Sequence, residues 1–200
     1  MIDTPPERQV RARHDDQTLV VYQAYNPAIA EAAVGAGTFV SPFRRERMTW
    51  IKPSFLWMMY RCGWATKPGQ ERVLAVTITR AGFAWALEHA CLADYHPEIY
   101  GTHEAWQERK RTSPVRVQWD PERSLALERL DHRAIQVGLG GESVDRYVDE
   151  WIEGIEDVTP LAREIGGLAA AGDVEAARAR LPVERPLALP AAAAAAVGVD

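Results

Sequence analysis

A nearly unbroken apolar run lies at Thr18 to Tyr25, TLVVYQAY, where β-branched and aromatic residues dominate. It predicts a strand. Alternation places Leu19, Val21, Gln23 and Tyr25 on one face and Val20, Tyr22 and Ala24 on the other. Gln23, among apolar neighbours, reads either as a buried amide or as a residue at the strand's open end. Asn26 and Pro27 supply a cap and a first turn for a helix over 27–36, which the glycines at 35 and 37 stop. Thr38 to Pro42 reads as a short strand. Met48 to Ile51 is expected to be extended, because Lys52 precedes Pro53 and is turned away from helix. Ser54 to Cys62 is apolar on nearly every face, as in a buried helix, and Gly63 ends it.

Arg72 to Thr79 (RVLAVTIT) is apolar or small on both faces, which predicts a central strand. Ala81 to Ala93 carries a helical stripe of Phe83, Leu87, Ala90 and Cys91. A charged helix is expected over 103–111, strands over 115–119 and 133–139, and a turn at Asp120-Pro121-Glu122-Arg123. The most regular 3-4 stripe is Val144, Tyr147, Val148, Trp151, Ile152 and Ile155, with Ser143 as its cap and an acidic opposite face. It predicts a helix over 144–155. Further helices are expected over 160–171 and 174–181. Beyond Pro182 the chain turns Pro/Ala-rich, and an irregular tail with no site is expected there. Strands and helices interleave without a strict βαβ rhythm. The fold class read from this is α+β: a single globular domain over 8–181, with a central mixed or antiparallel sheet and packed helices, followed by the tail 182–200.

Composition narrows the class. Two hundred residues, 47% apolar and 26% charged, are enough for one domain with a real core. A net charge of −5 argues against a broad basic face that coats nucleic acid. No apolar run approaches the roughly 20 residues that span a bilayer, and the first residues carry no apolar signal core. Cys62 and Cys91 have no metal-binding spacing and sit in apolar surroundings. A soluble, cytoplasmic protein with buried free thiols is expected. The five histidines show no i, i+3 or i, i+4 pairing, so no metal site is assigned.

Against that acidic background one segment stands out. Phe43 to Trp64 packs Arg44, Arg45, Arg47, Lys52 and Arg61 among Trp50, Phe55, Trp57, Tyr60 and Trp64, with Glu46 as its only acid. Guanidinium groups suit bidentate capture of phosphate, and aromatic faces suit a base or ring. Splitting the segment at Pro53 leaves Arg47, Trp50 and Lys52 on an extended arm, with Arg61 at a helix end. Arg11, Arg13 and Arg80 also fall at the ends of predicted core elements. The competing reading pairs these cations with the acidic residues of 145–157. Among those acids Glu150 stands next to Trp151, at the edge of the apolar stripe.

VYQAY, RMTWIKPSFLWMMYR, SPVRVQWDPER and the EWI and IEDVT strings resemble the domain-of-unknown-function family 4291, over about residues 8–165. The resemblance implies a small single domain and assigns no activity, cofactor or catalytic residue.

Three functions follow from the residues. The first is an enzyme that binds a nucleotide or another phosphate-bearing substrate and transfers a group from it. An ADP-ribosyltransferase-like domain is one such arrangement, by analogy of fold alone. In it Arg11 or Arg13 and Lys52 hold phosphates, and Tyr22, Gln23 and Trp50 line a ring pocket. Arg47 and Arg61 order the site, and Glu150 is the catalytic polar group. The second is a non-catalytic module for single-stranded nucleic acid, stacking bases on Trp and Tyr. The third is a structural or interaction domain whose aromatics are core. No cofactor or oligomeric state is assigned, and no membrane partner is expected.

Overall fold

The computed structural model describes residues 5–199. Its elements run β1 (Arg11–Ala12), β2 (Thr18–Tyr25), α1 (Pro27–Ala36), β3 (Thr49–Ile51), α2 (Phe55–Cys62) and β4 (Arg72–Thr79). Then come α3 (Arg80–Glu88), β5 (Ala90–Leu92), α4 (Pro97–Tyr100), α5 (His103–Thr112), β6 (Val115–Arg123) and β7 (Arg129–Leu139). The chain closes with α6 (Glu142–Arg146), a π-helical turn at Tyr147–Trp151, β8 (Ile152–Asp157), α7 (Thr159–Ala170), α8 (Val174–Arg180), β9 (Arg185–Pro186) and α9 (Ala191–Val197). The class is α+β in one compact domain, as expected.

Two sheets carry the fold. One has the order β2-β4-β8, all antiparallel; the other has the order β3-β7-β6-β5, antiparallel except for the parallel β5–β6 pair. Strand β4 is central, which is why both its faces are apolar. Leu19, Val21, Leu74, Val76 and Ile78 face a core shared with Ile51, Val117, Ile135 and Val137 of the second sheet. Val20, Tyr22, Val73 and Ala75 face a separate core beneath α2, α7 and α8, with Phe55, Met58, Met59, Ala162 and Ile165. The alternation read from the sequence therefore sorts residues into two cores. The sheets meet at one bridge: Tyr22 N donates to Lys52 O at 2.7 Å and Lys52 N donates to Tyr22 O at 3.2 Å. Beyond it β2 and β3 part.

Local chemistry fixes the elements that flank this seam. Asn26 caps α1 by accepting from Ile29 N, and Gly37 closes it at φ 71°. Ser54 accepts from Trp57 N to start α2, and Gly63 closes it at φ 59°. Between α1 and β3 the expected strand at 38–42 is a turn instead. Phe39 and Phe43 lie 4.6 Å apart, ring centre to ring centre, a closeness that four residues of extended chain do not allow. Both pack on Tyr25.

Three further expectations are corrected. The helix over 81–93 ends at Glu88, and Ala90–Leu92 leaves it as β5 to pair with Val115–Val117. Asp120–Arg123 is not a turn; it continues β6. The helix over 144–155 breaks into α6, the π turn and β8. Its stripe is real, but its cause is different. A register shift in β8 pairs Ile155 with Val76 and Ile152 with Ile78, so residues three apart share one face of a strand. The π turn seats Trp151 on Gly82 of α3, where an added Cβ would lie 2.3 Å from the indole. Thr38 Oγ1 donates to the Val148 carbonyl within that turn.

The segment after Pro182, expected to be irregular, is built into the fold. Strand β9 pairs antiparallel with β1. Helix α9 packs on α3, with Ala193 and Val197 buried. Arg80 donates to the Asp15 and Ala188 carbonyls. An alanine run is low in information but high in helix propensity, and its small side chains let α9 lie close against its neighbour. Among the described residues no helix is long and apolar enough to cross a membrane.

Candidate functional site: a cationic cleft at the seam of two sheets

A cavity of about 930 Å3 opens where β2 and β3 part. That is at the upper end of the range for small-molecule sites. Gln23 and Tyr25 come from β2, Thr49, Trp50 and Lys52 from β3 and its end, Met58 and Arg61 from α2, and Gln118 and Gln136 from β6 and β7. The turn before β3 adds Phe43, Arg44, Arg47 and Met48; Asn26 and Gln70 complete the polar rim. Four basic side chains, Arg44, Arg47, Lys52 and Arg61, line this space, and no Asp or Glu does. Arg45 shows where the acids went: it is held by Asp145 (3.1 Å) and bidentately by Asp149 (2.6 and 2.7 Å) on the outer surface. Arg44, Arg47 and Arg61 enter no such pair among the described residues.

The back wall is rigid. Gln23 is buried, and its amide is fully used. Nε2 donates to Thr49 Oγ1 at 2.6 Å and Tyr25 Oη at 2.8 Å, while Tyr147 Oη donates to Oε1 at 2.6 Å. Of the two readings of Gln23, the buried amide holds. Burial raises the Tyr25 hydroxyl to about 12, against the lowering effect of Thr49, and lifts Tyr147 well above its usual range. Both phenols are therefore neutral anchors. Trp50 lies flat because Gly138 faces it on β7; a Cβ there would meet the indole at 2.9 Å and Met48 Sδ at 2.8 Å.

Lys52 is the unusual group. It is 7% exposed, and no carboxylate lies within ion-pairing distance. Nζ donates to Trp50 O at 3.1 Å. Burial, and then the Arg61 charge, bring the amine down to about 7, against the opposing pull of Cys62 and Asp120. Asp120 stands behind the cleft. Gln136 Nε2 and Gln118 Nε2 donate to its two oxygens at 2.6 and 3.1 Å, and burial raises the carboxyl above its ordinary value. A second cavity of about 630 Å3 lies on that side and shares Arg61, Gln118 and Gln136 with the first. Trp57, Tyr60, Asp120 and Arg123 line it. Arg123 stacks 3.7 Å over Tyr60, and Trp57 Nε1 is buried with no partner.

Five residues expected at the site are brought together here: Gln23, Arg47, Trp50, Lys52 and Arg61. Four are elsewhere. Tyr22 points to the opposite face of β2 and packs edge-on against Phe55 at 5.3 Å, since successive strand residues cannot share a face. Arg11 bonds Gln9 and the Glu184 carbonyl beside the β1–β9 ribbon, and Arg13 lies exposed just after β1. Glu150 sits on the surface, paired with Arg146 at 3.1 Å, outside the lining of either cavity. Gln118, Asp120 and Gln136 were missed. In VRVQWD the strand pattern puts Arg116, Gln118 and Asp120 on one face, opposite Val115, Val117 and Trp119; continuing that alternation one step past Gln118 is the readable signal.

The tail also reaches the site's scaffold. Glu184 Oε1 accepts from Phe55 N at 2.7 Å, at the start of the helix that carries Arg61. Burial brings its carboxyl to about 8; Phe55 N opposes this, Glu122 adds to it, and Arg11 opposes it.

No curated protein matches the chain. The family model described as Domain of unknown function (DUF4291) matches residues 9–187 of the 200, so the chain belongs to that family.

Proposed function

We propose that this member of the DUF4291 family is a group-transfer enzyme that binds a phosphate-bearing substrate, most simply a nucleotide, in the cleft between its two sheets. The observation that carries the reading is the lining: three guanidinium groups, a lysine amine and no carboxylate, in a chain of net charge −5. Unpaired guanidinium groups in a concave site cost self-repulsion and are offset by an anionic ligand. Arg44 and Arg47, exposed on the turn before β3, capture phosphate oxygens, and Arg61 closes on them from the end of α2. Trp50, half-buried, offers the ring surface, and Tyr25, Asn26 and Gln70 offer polar contacts. ADP-ribosyl transfer is one reaction of this class. Trp50 is the one indole in the lining, which favours a small ligand over a single-stranded nucleic acid track, where aromatic faces run in a row along a groove. Here Trp57 is buried and Trp50 is backed by Gly138.

Thermal shift with ATP, ADP, NAD and inorganic pyrophosphate tests the reading. A ligand at about 100 times its dissociation constant stabilises by about 2.7 kcal/mol, a shift of several degrees. Arg44→Ala/Arg47→Ala should fold normally and lose that shift. If none of the four ligands moves the wild-type transition, the cleft is not a phosphate site.

A further inference from the structure

The cleft contains a nucleophile. We propose that the side-chain amine of Lys52 attacks the substrate, and that the substrate is a phosphorylated aldehyde or ketone captured as an imine. This rests on the phosphate-site reading and replaces the nucleotide, which carries no free carbonyl, with a phosphorylated carbonyl compound as the substrate class.

The chain uses arginine almost throughout for its cations. Only three of its 23 basic residues are lysines: Lys52, Lys67 and Lys110. Lys67 caps α2 by donating to the Tyr60 and Arg61 carbonyls, and Lys110 lies over Trp106 at 4.4 Å. Lys52 alone is buried in the cleft. A guanidinium there would stay charged, whereas an amine can shed its proton when desolvated. The surroundings favour the neutral form: burial, with Arg61 as the neighbouring charge and no carboxylate in contact. One N–H is used on Trp50 O, which leaves the lone pair free. Desolvation beside another cation is a recognised way to activate a lysine for carbonyl chemistry.

The remaining candidates are engaged. Thr49 Oγ1 and Tyr25 Oη are locked into the Gln23 network. Cys62 belongs to the core under α2, and burial raises its thiol. The charged and titratable groups that act on Lys52 are thus Arg61 and Cys62 on α2 and Asp120 on β6.

In the step, the amine lone pair forms a C–N bond to the carbonyl carbon, and the C=O π pair moves to oxygen. Protons transferred from nitrogen to oxygen let that oxygen leave as water, giving the imine. No oxidant or reductant is needed, and water reverses the step. The phosphate is held by Arg44, Arg47 and Arg61. When the imine then takes up a proton from water, Asp120, whose charge is felt at Nζ, stabilises the cation formed.

The test is reductive trapping. The protein is incubated with pyridoxal 5′-phosphate, or with the smaller glyceraldehyde 3-phosphate, treated with borohydride and mapped by mass spectrometry. One reduced adduct at Lys52 is expected, formed at least about tenfold faster than at Lys67 or Lys110. Unphosphorylated pyridoxal should label it far more slowly, and inorganic pyrophosphate should protect it. Lys52→Arg, with circular dichroism confirming its fold, should lose the adduct. If pyrophosphate stabilises the protein and no adduct forms at Lys52, or the three lysines label alike, the imine proposal falls and the phosphate site stands. If none of ATP, ADP, NAD and pyrophosphate stabilises the protein and pyrophosphate does not protect Lys52, both fall.

Discussion

Replacing Lys52 with methionine should make the protein more stable at neutral pH, and the gain should shrink as pH rises. Methionine keeps an unbranched stem of similar volume and removes the amine. The amine is lowered from 10.5 to about 7 in the fold. Between those values the unfolded chain binds more protons than the folded one, so wild-type stability rises with pH across this window. At 1.36 kcal/mol per pH unit, the buried amine costs the fold about 4 kcal/mol at pH 7 and about 2 kcal/mol at pH 9. Methionine removes that cost but leaves the Trp50 carbonyl without its donor, a loss of about 1 kcal/mol that does not vary with pH. The expected gain is therefore about 3 kcal/mol at pH 7, falling to about 1 kcal/mol at pH 9. Urea denaturation of both proteins at half-unit steps from pH 6.5 to 9.5 measures it, because groups titrating in both cancel in the difference. A gap that stays constant or widens with pH would refute a neutral amine in the cleft.

Two other substitutions test the scaffold. Glu184→Gln keeps an acceptor for Phe55 N and removes a carboxyl whose value is raised from 4.5 to about 8. A raised carboxyl favours the fold below 4.5 and loses that advantage as pH climbs to about 8, so the variant should gain on wild type across that window, opposite in trend to Lys52→Met; denaturation midpoints that run parallel from pH 4.5 to 8 would contradict this. Gly82→Ala sets helix propensity, about 1 kcal/mol in alanine's favour, against a Cβ placed 2.3 Å from the buried Trp151 indole. Overpacking of a ring that cannot move aside costs about 1–3 kcal/mol, so net destabilisation is expected in thermal melts, and a stabilised variant would show that the π turn is free to shift.

Much of the fold was legible because short-range chemistry and burial agree along most of the chain. Strand β2, helix α1, helix α2 and strand β4 each carry their own signal: alternation, an Asn-Pro start, a Ser cap with a closing glycine, and apolar faces on both sides. The family resemblance was also sound, and it extends further, to residue 187. The failures occur where tertiary pairing overrides local pattern. Ile152 and Ile155 keep helical spacing, but β4 had an edge to fill, and a bulge lets a strand present residues three apart on one face. The six alanines read as noise in isolation. Their role depends on α3, more than a hundred residues earlier, against which they pack.

The site divides along the same line. Arg47, Trp50, Lys52 and Arg61 were readable together because they lie within fifteen residues, on an arm and a helix end that β3 and α2 hold at one seam. Arg11 and Arg13 were drawn to the site by charge alone, and charge carries no address. Tyr22 and Gln23 could not both line one pocket, because a strand sends neighbours to opposite faces; the sequence contained the rule that separated them. Asp120 is the instructive omission. Its Asp-Pro dipeptide predicts a turn, yet β6 runs on through Pro121, paired with Arg133. A carboxylate partly buried two positions after Gln118 is costly unless something satisfies it, and Gln118 and Gln136 do. Such a polar cluster between two cavities, behind the lysine, is where charge in the cleft and charge in the second cavity are coupled. The two spaces share Arg61, Gln118 and Gln136, so a change of charge in one is felt across that hydrogen-bonded wall in the other.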